Sequence, residues 1–114
     1  MITGMHAMIY NPAADEVRKF LADVVGFDSV DAGGGWQIFK LPPAELGVHP
    51  ADGPGRHEFS LMCDDIEATM KELAAKGAEF TGPVTDQSWG RLTAIRLPEG
   101  AELGLYEPRH PTAH

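Results

Sequence analysis

One short segment of this chain occurs twice, and that repetition limits the folds that the chain can adopt. Residues 39–47 read FKLPPAELG, and residues 95–104 read IRLPEGAELG. Each copy is an apolar-basic-Leu-Pro turn followed by an Ala-Glu-Leu-Gly strand. Upstream of each copy come a segment that opens with histidine, an amphipathic helix and further strand-like segments. The same order in both halves predicts two similar units that pack together.

Each half contains one amphipathic helix with recognisable ends. In the first half, Asn11 and the following proline have the residue types of an N-cap and a first helical residue, and Gly26 marks the end. In the second half, Asp64 and Glu67 have capping-box spacing, and Gly77 follows the last apolar residue of the helix. The sequence therefore predicts one helix over residues 12–25 and a second over residues 65–76.

The remaining segments are short, bounded by glycine or proline, and rich in residues that favour β-strands. They are residues 5–10, 27–31, 35–40 and 45–49, then 57–62, 79–84, 91–96 and 102–106. This order predicts an α+β fold in which a β-α-β-β-β module occurs twice. A module of roughly 50 residues is too small to bury a sufficient core alone, so the two should pair into one curved mixed sheet with helices outside. We expect a single domain over residues 1–114, with module one at 1–53 and module two at 54–114.

Composition narrows the choice of partners. The net charge is −8 and the sequence contains no cluster of Lys and Arg, which argues against nucleic-acid binding. Apolar runs are far shorter than the roughly 20 residues that cross a bilayer, so no membrane contact is expected. The single cysteine, Cys63, cannot form an internal disulfide, which favours a cytoplasmic location. A small organic molecule is the expected partner.

Strand alternation predicts which side chains face the helices and which face the concave side of the sheet. The predicted helix-facing residues are Leu46, Val48, Leu103 and Leu105. The predicted concave-facing residues are Glu45, Gly47, His49, Glu102, Gly104 and Tyr106, together with His6, Met8 and Tyr10 and with His57, Phe59 and Leu61 from the two strands that open with histidine.

Three segments carry a family resemblance. They are MHAMIY at residues 5–10, HEFSLMCDDI at 57–66 and LGLYEP at 103–108. With the paired modules, they make the chain resemble the vicinal oxygen chelate superfamily, which includes glyoxalase I, bleomycin-resistance proteins and extradiol dioxygenases. The resemblance implies a half-barrel cleft, a homodimer and, in many members, a divalent metal ion such as Zn, Ni, Fe or Mn.

The resemblance also implies where metal ligands would lie. His6 and His57 match the ligand positions on the opening strands, whereas Gly47 and Gly104 stand where the carboxylate ligands would be. This departure argues against glyoxalase I activity. Glu45 and Glu102 lie two residues earlier on the same strand faces, and two histidines with one carboxylate would suit zinc or non-haem iron(II). A metal-dependent lyase, isomerase or dioxygenase with a rearranged His6, His57 and Glu45 or Glu102 set is therefore one alternative.

The leading interpretation is a small-molecule-binding protein with an aromatic-lined cleft, in which the two glycines leave room for an organic ligand. No catalytic residue is assigned. The predicted pocket consists of His6, Met8, Trp36, Gly47, His49, His57, Phe59, Trp89, Gly104 and Tyr106. The plainest alternative is a dimeric scaffold with a vestigial cleft. The tail that contains His110 and His114 is predicted to be disordered.

Overall fold

The computed structural model describes residue 1 and residues 6–114 of the chain. In chain order the elements are helix α1 (Ala14–Phe20), continued by a π-helical turn (Leu21–Val25), strands β1 (Ser29–Asp31), β2 (Gln37–Phe39) and β3 (Ser60–Met62), helix α2 (Ile66–Ala75), strands β4 (Thr85–Gln87) and β5 (Gly90–Arg96), a 3₁₀ turn (Pro98–Gly100) and strand β6 (Glu102–Pro108).

The second half of the chain forms a four-stranded mixed sheet in the order β3-β6-β5-β4. Strand β3 is parallel to β6, and the other two pairings are antiparallel. The register places Ser60 opposite Gly104 and Gly104 opposite Ala94. The sheet is open and does not close into a barrel. Strands β1 and β2 form a separate antiparallel hairpin. The fold is therefore α+β, as predicted.

The core lies between α2 and one face of this sheet. Leu73 of α2 is buried with Ile95 and Leu103 of the sheet. Leu105 is also buried, so the predicted helix-facing side of β6 is confirmed. Leu61 packs against the same core, which corrects the prediction that it faces the concave side. The reason is its register, because Leu61 is paired with Leu105 and paired residues project to the same face of a sheet.

The start of α2 differs by one residue from the prediction. Asp65, rather than Asp64, is the N-cap, and its Oδ1 accepts a hydrogen bond of 3.0 Å from the Ala68 amide. The Ile66 amide donates to Oε1 of Glu107 at 2.9 Å. Two carboxylates thus satisfy amides that have no partner within the helix.

Asn11 connects the two halves instead of capping α1 directly. The helix begins three residues later, at Ala14. The Asn11 amide nitrogen donates to the Pro98 carbonyl at 2.9 Å, and its oxygen accepts from the Ala13 amide at 2.8 Å. At the other end of the helical segment, Gly26 adopts the left-handed φ of 85° that its predicted role as a terminator requires.

Two strands predicted in the first half do not form among the described residues. Residues 45–49 form no strand, and Leu46 and Val48 are 79% and 92% exposed instead of facing a helix. Residues 6–10 of the predicted strand 5–10 also form no strand, and residue 5 lies outside the described residues. An extended segment becomes a strand only when a neighbouring strand accepts its hydrogen bonds. Prolines on both sides of residues 45–49 lack the amide donor that would extend such pairing.

The strand predicted over residues 79–84 is displaced along the chain. Phe80 forms an isolated bridge to Ile95, and the Thr81 amide donates to the Ala94 carbonyl at 2.9 Å. Regular pairing with β5 resumes only at Thr85. Pro83 explains this interruption, because proline cannot donate to the ladder.

In the part of the chain that the structure describes, no helix combines the length and the apolar character that crossing a membrane requires.

Candidate functional site

Tyr106 lies on the face of the sheet opposite α2, because its neighbours in β6, Leu105 and Glu107, point to the helix side. Its hydroxyl donates to the Trp89 carbonyl at 2.9 Å. The Trp89 and Tyr106 ring centroids are 5.8 Å apart with a 45° tilt, a geometry typical of interacting aromatic pairs. Gly90 makes this arrangement fit, since a Cβ there would overlap the Tyr106 ring.

A histidine lies against the same tyrosine. The His110 imidazole centroid is 5.9 Å from that of Tyr106, with a 30° angle between the planes. The Glu45 carboxylate faces this imidazole, with Oε2 3.7 Å from His110 Nε2. The Glu45 side chain is 20% exposed. Burial, and secondarily the Glu45 charge, raise the pKa of the Tyr106 hydroxyl.

The C-terminal tail is held in place by further contacts. The Arg109 amide donates to the Trp89 carbonyl at 3.0 Å. The Arg109 guanidinium donates to the Gln87 carbonyl at 3.1 Å and to Asp86 Oδ1 at 2.8 Å. Further along, the Ala113 amide donates to Glu45 Oε1 at 3.0 Å. The prediction of a disordered tail is corrected by these contacts, which hold it across the open face.

An open pocket of about 550 Å³ lies between the tail and residues 45–47, and Glu45, Gly47, Tyr106 and His110 are among its lining residues. A second open pocket, of about 580 Å³, lies near the start of α2 and includes Cys63 and Glu107. Burial raises the pKa of the Cys63 thiol, so this pocket contains no activated nucleophile at Cys63.

The predicted pocket residues are distributed unevenly. Trp89, Tyr106 and Gly47 lie at the Tyr106 site, which also includes Glu45. At Gly104, a Cβ would overlap the Ser60 side chain, so Ser60 fills the space that the glycine leaves. Gly47 has no atom near its own Cβ position.

Several other predicted pocket residues lie on exposed parts of the chain. Trp36 lies at the end of the turn before β2, where the Arg18 guanidinium is 5.6 Å from the centre of its ring. Trp36 is exposed, and so are His6, Met8, His49, His57 and Phe59.

The residues present do not fit a metal ion. Within residue 1 and residues 6–114, no three His, Cys, Asp or Glu side chains are grouped to hold one. Of the predicted ligands, Glu45 accepts from the Ala113 amide and faces His110, and Glu102 is exposed.

Sequence reasoning missed His110 as part of the site. The predicted last strand ended at residue 106, whereas β6 continues to Pro108. The tail then turns back over Tyr106. The acceptors that hold it belong to Asp86, Gln87, Trp89 and Glu45, which are far away in the sequence, so no local pattern indicates this contact.

Comparison of the sequence with models of protein families identifies the family of this chain. Residues 5–105 match the model of the Glyoxalase/Bleomycin resistance protein/Dioxygenase superfamily. The chain therefore belongs to the glyoxalase/bleomycin resistance protein/dioxygenase superfamily, as the resemblance in its sequence predicted.

Solved structures of similar fold come from several bacteria. A superfamily member from Sphaerobacter thermophilus is 25% identical, with a TM-score of 0.65 over 93% of this chain and 98% of its own. TnmS3, an antibiotic binding protein from a Streptomyces species, is 24% identical, with a TM-score of 0.58 over 90% and 99% of the two chains. Lactoylglutathione lyase from Agrobacterium tumefaciens is 19% identical, with a TM-score of 0.66 over 92% of each chain. A comparison with curated protein sequences finds no match.

Proposed function

We propose that this protein binds a small organic molecule on the open face of its four-stranded sheet. The observation that carries the proposal is the Tyr106 site, where the Tyr106 ring is paired with the Trp89 ring and lines an open pocket with one carboxylate, Glu45. Aromatic surface with a few polar groups is typical of small-molecule sites. Superfamily membership and the antibiotic-binding description of TnmS3 support binding as the role.

A screen of organic compounds against the full chain tests this proposal. A bound compound raises the melting temperature by mass action, by an amount that grows with its concentration. We expect hits whose effect is lost in Trp89→Ala and retained in Trp36→Ala, because Trp36 lies beside Arg18 on the turn before β2. Dependence on Trp36 alone would move the site to that turn. The absence of any hit would favour the scaffold alternative.

The geometry does not favour the metal-dependent alternative, since the described residues offer no group of three donors. Elemental analysis of untagged protein tests it directly. A divalent metal near one per chain, lost in His6→Ala, would overturn our preference for metal-free binding.

We further propose that the protein forms a homodimer. Support comes from the apolar side chains that the single chain leaves exposed in its first half, with Tyr10, Val30, Leu46 and Val48 between 67% and 92% exposed. Among the described residues, strand β3 is at the edge of its sheet and pairs only with β6. A two-stranded hairpin such as β1–β2 is marginal in isolation, so a second copy of this chain is the occupant that would stabilise this half.

A cytoplasmic location completes the proposal. Its support is the single free thiol of Cys63, which is partly buried and lies in a chain with no second cysteine. Fractionation of the cells that produce the protein tests this location.

A further inference from the structure

The Tyr106 site already holds a nitrogen heterocycle, which is supplied by the protein's own tail. The His110 ring centroid is 5.9 Å from that of Tyr106 with a 30° tilt, and its Nε2 is 3.7 Å from Glu45 Oε2. The imidazole therefore has an aromatic ring on one side and a carboxylate near one nitrogen. These are the two contacts that a planar ligand with a protonated ring nitrogen would make.

Two polar groups face the His110 ring: the Glu45 carboxylate is near Nε2, and the Pro111 carbonyl of the same tail is 2.8 Å from Nδ1. The Tyr106 hydroxyl donates to the Trp89 carbonyl, so the tyrosine offers its ring face to a ligand. The guanidinium of Arg109, which adjoins His110 in the chain, donates to Asp86 and to the Gln87 carbonyl. Glu45 Oε1 is held by the Ala113 amide, which leaves Oε2 directed at the heterocycle.

The charge of the site selects against anions. Glu45 is mostly shielded from water, with its side chain 20% exposed, and the whole chain has a net charge of −8. A partly desolvated carboxylate beside aromatic rings attracts a cation more strongly than a fully solvated one does. A neutral planar ring would gain only the stacking contact.

We propose that the Trp89, Tyr106 and Glu45 subsite binds planar cationic nitrogen heterocycles and that His110 of the tail competes for the same position. This inference rests on the proposed small-molecule binding and adds the chemical class of the ligand. The tail acts as an internal competitor, which lowers the apparent affinity by the fraction of molecules in which His110 occupies the subsite.

Fluorescence titration of the full chain with two planar probes of similar size tests the inference. Proflavine is cationic at neutral pH, and acridone is neutral. We expect proflavine to bind at one site per chain and about tenfold more tightly than acridone, from the attraction of a cation to aromatic faces and to the carboxylate. Equal affinity for the two probes would overturn the proposal.

Two substitutions separate the roles of the carboxylate and the tail. Glu45→Gln should reduce proflavine affinity about tenfold, to the level of acridone, whereas the matched control Glu16→Gln on exposed α1 should leave it unchanged. His110→Ala should tighten proflavine binding about threefold or more by removing the competitor, and His114→Ala in the same tail should not. Unchanged or weaker binding in His110→Ala would overturn the competition.

A further variant keeps the experiment decisive if His110→Ala does not fold, as judged by circular dichroism. His110→Phe retains a ring but has no nitrogen to face Glu45, so proflavine should again bind more tightly than to the wild type.

The experiments distinguish a failure of this inference from a failure of the proposed function. Compounds that stabilise the protein through Trp89 without preference for cations would contradict this inference and leave the proposed function intact. If neither probe binds any variant, the inference is overturned.

Discussion

At the residue scale, Gly104 shows how one missing side chain changes a surface. The family resemblance places a metal-binding carboxylate at this position, and the sequence has none. Leaving the carboxylate out does not open a hole here, because the Ser60 side chain on the adjacent strand β3 lies where a Cβ would project. At Gly90, the Tyr106 ring lies where a Cβ would project. Both glycines are explained by contacts on the open face of the sheet.

Gly104→Ala should therefore destabilise the protein. Its Cβ would overlap the Ser60 side chain, and overpacking of this kind costs about 1–3 kcal/mol of unfolding free energy. Urea denaturation measures this loss. The double variant Gly104→Ala with Ser60→Gly should recover part of it, since the obstructing side chain is gone. Equal losses in the single and double variants would contradict the explanation.

At the scale of elements, helix α2 is tied to the sheet at its N-terminal end. Asp65 and Glu107 accept from amides of its first turn, and Glu67 forms an ion pair with Arg91 of β5. Arg91 also donates to Asp86 Oδ1 of β4 at 3.1 Å. The carboxylates of Asp65, Glu67 and Glu107 lie near the positive end of the α2 helix dipole, and this dipole stabilises negative charge there.

Asp65→Ala should cost about 1 kcal/mol of unfolding free energy, the usual consequence of losing an N-cap. Asp64→Ala is the matched control, because the capping hydrogen bond comes from the neighbouring residue. Denaturant unfolding should show a clear loss for the first variant and little change for the second. A larger loss for Asp64→Ala than for Asp65→Ala would show that Asp64 is the N-cap, as the sequence spacing predicts.

The ion pair between Glu67 and Arg91 should make stability depend on pH. The Arg91 guanidinium lowers the pKa of the Glu67 carboxyl, mainly through its hydrogen bond. A lowered folded-state pKa means that the charged carboxylate stabilises the protein above its ordinary pKa of 4.5 and that this contribution is lost as the pH falls further. Glu67→Gln should therefore lower the melting temperature at pH 7, and its difference from wild type should shrink in acid.

A control for this effect lies on the same helix. Oε1 of Glu72 is 3.8 Å from Nζ of Lys76, one helical turn away. Exposed ion pairs of this kind contribute little to the free energy of unfolding. Glu72→Gln should change the melting temperature less than Glu67→Gln does at pH 7. A Glu67→Gln deficit that persists unchanged in acid would mean that the ion pair is not its cause.

At the scale of the whole molecule, the two halves differ in how much regular strand pairing they form and in how much apolar surface they leave exposed. The second half has a four-stranded sheet with α2 on one face, whereas the first half has a helical segment and a two-stranded hairpin. Burying an exposed valine or leucine side chain is worth about 1.5–3 kcal/mol, so the exposed Leu46 and Val48 provide a driving force for association.

We expect light scattering to give twice the mass of the 12.3 kDa chain. Val48→Lys should shift the protein toward the monomer, because it places a charge at an apolar position that is 92% exposed in the single chain. Ala51→Lys adds the same charge nearby without removing a large apolar side chain and should leave the mass unchanged. A monomeric wild type would contradict the dimer.

Sequence alone predicts the α+β class, both helices and the end of the first helix at Gly26. It also determined the helix-facing side of β6, because apolar periodicity and the special backbone of glycine are local properties. Leu103 and Leu105 were assigned correctly from alternation alone. Pairing is not local, and Leu61 was therefore assigned to the wrong face until its register with Leu105 was known.

The surroundings of Tyr106 depend on long-range packing. Its neighbours come from residues 45, 89–90 and 110, which no sequence period connects. No described segment pairs with residues 45–49, so the expected strand is not formed there, and Leu46 and Val48 are exposed. Helices form from interactions within one segment, whereas strands and binding sites require distant segments to meet. That physical difference separates what the sequence predicted here from what it did not.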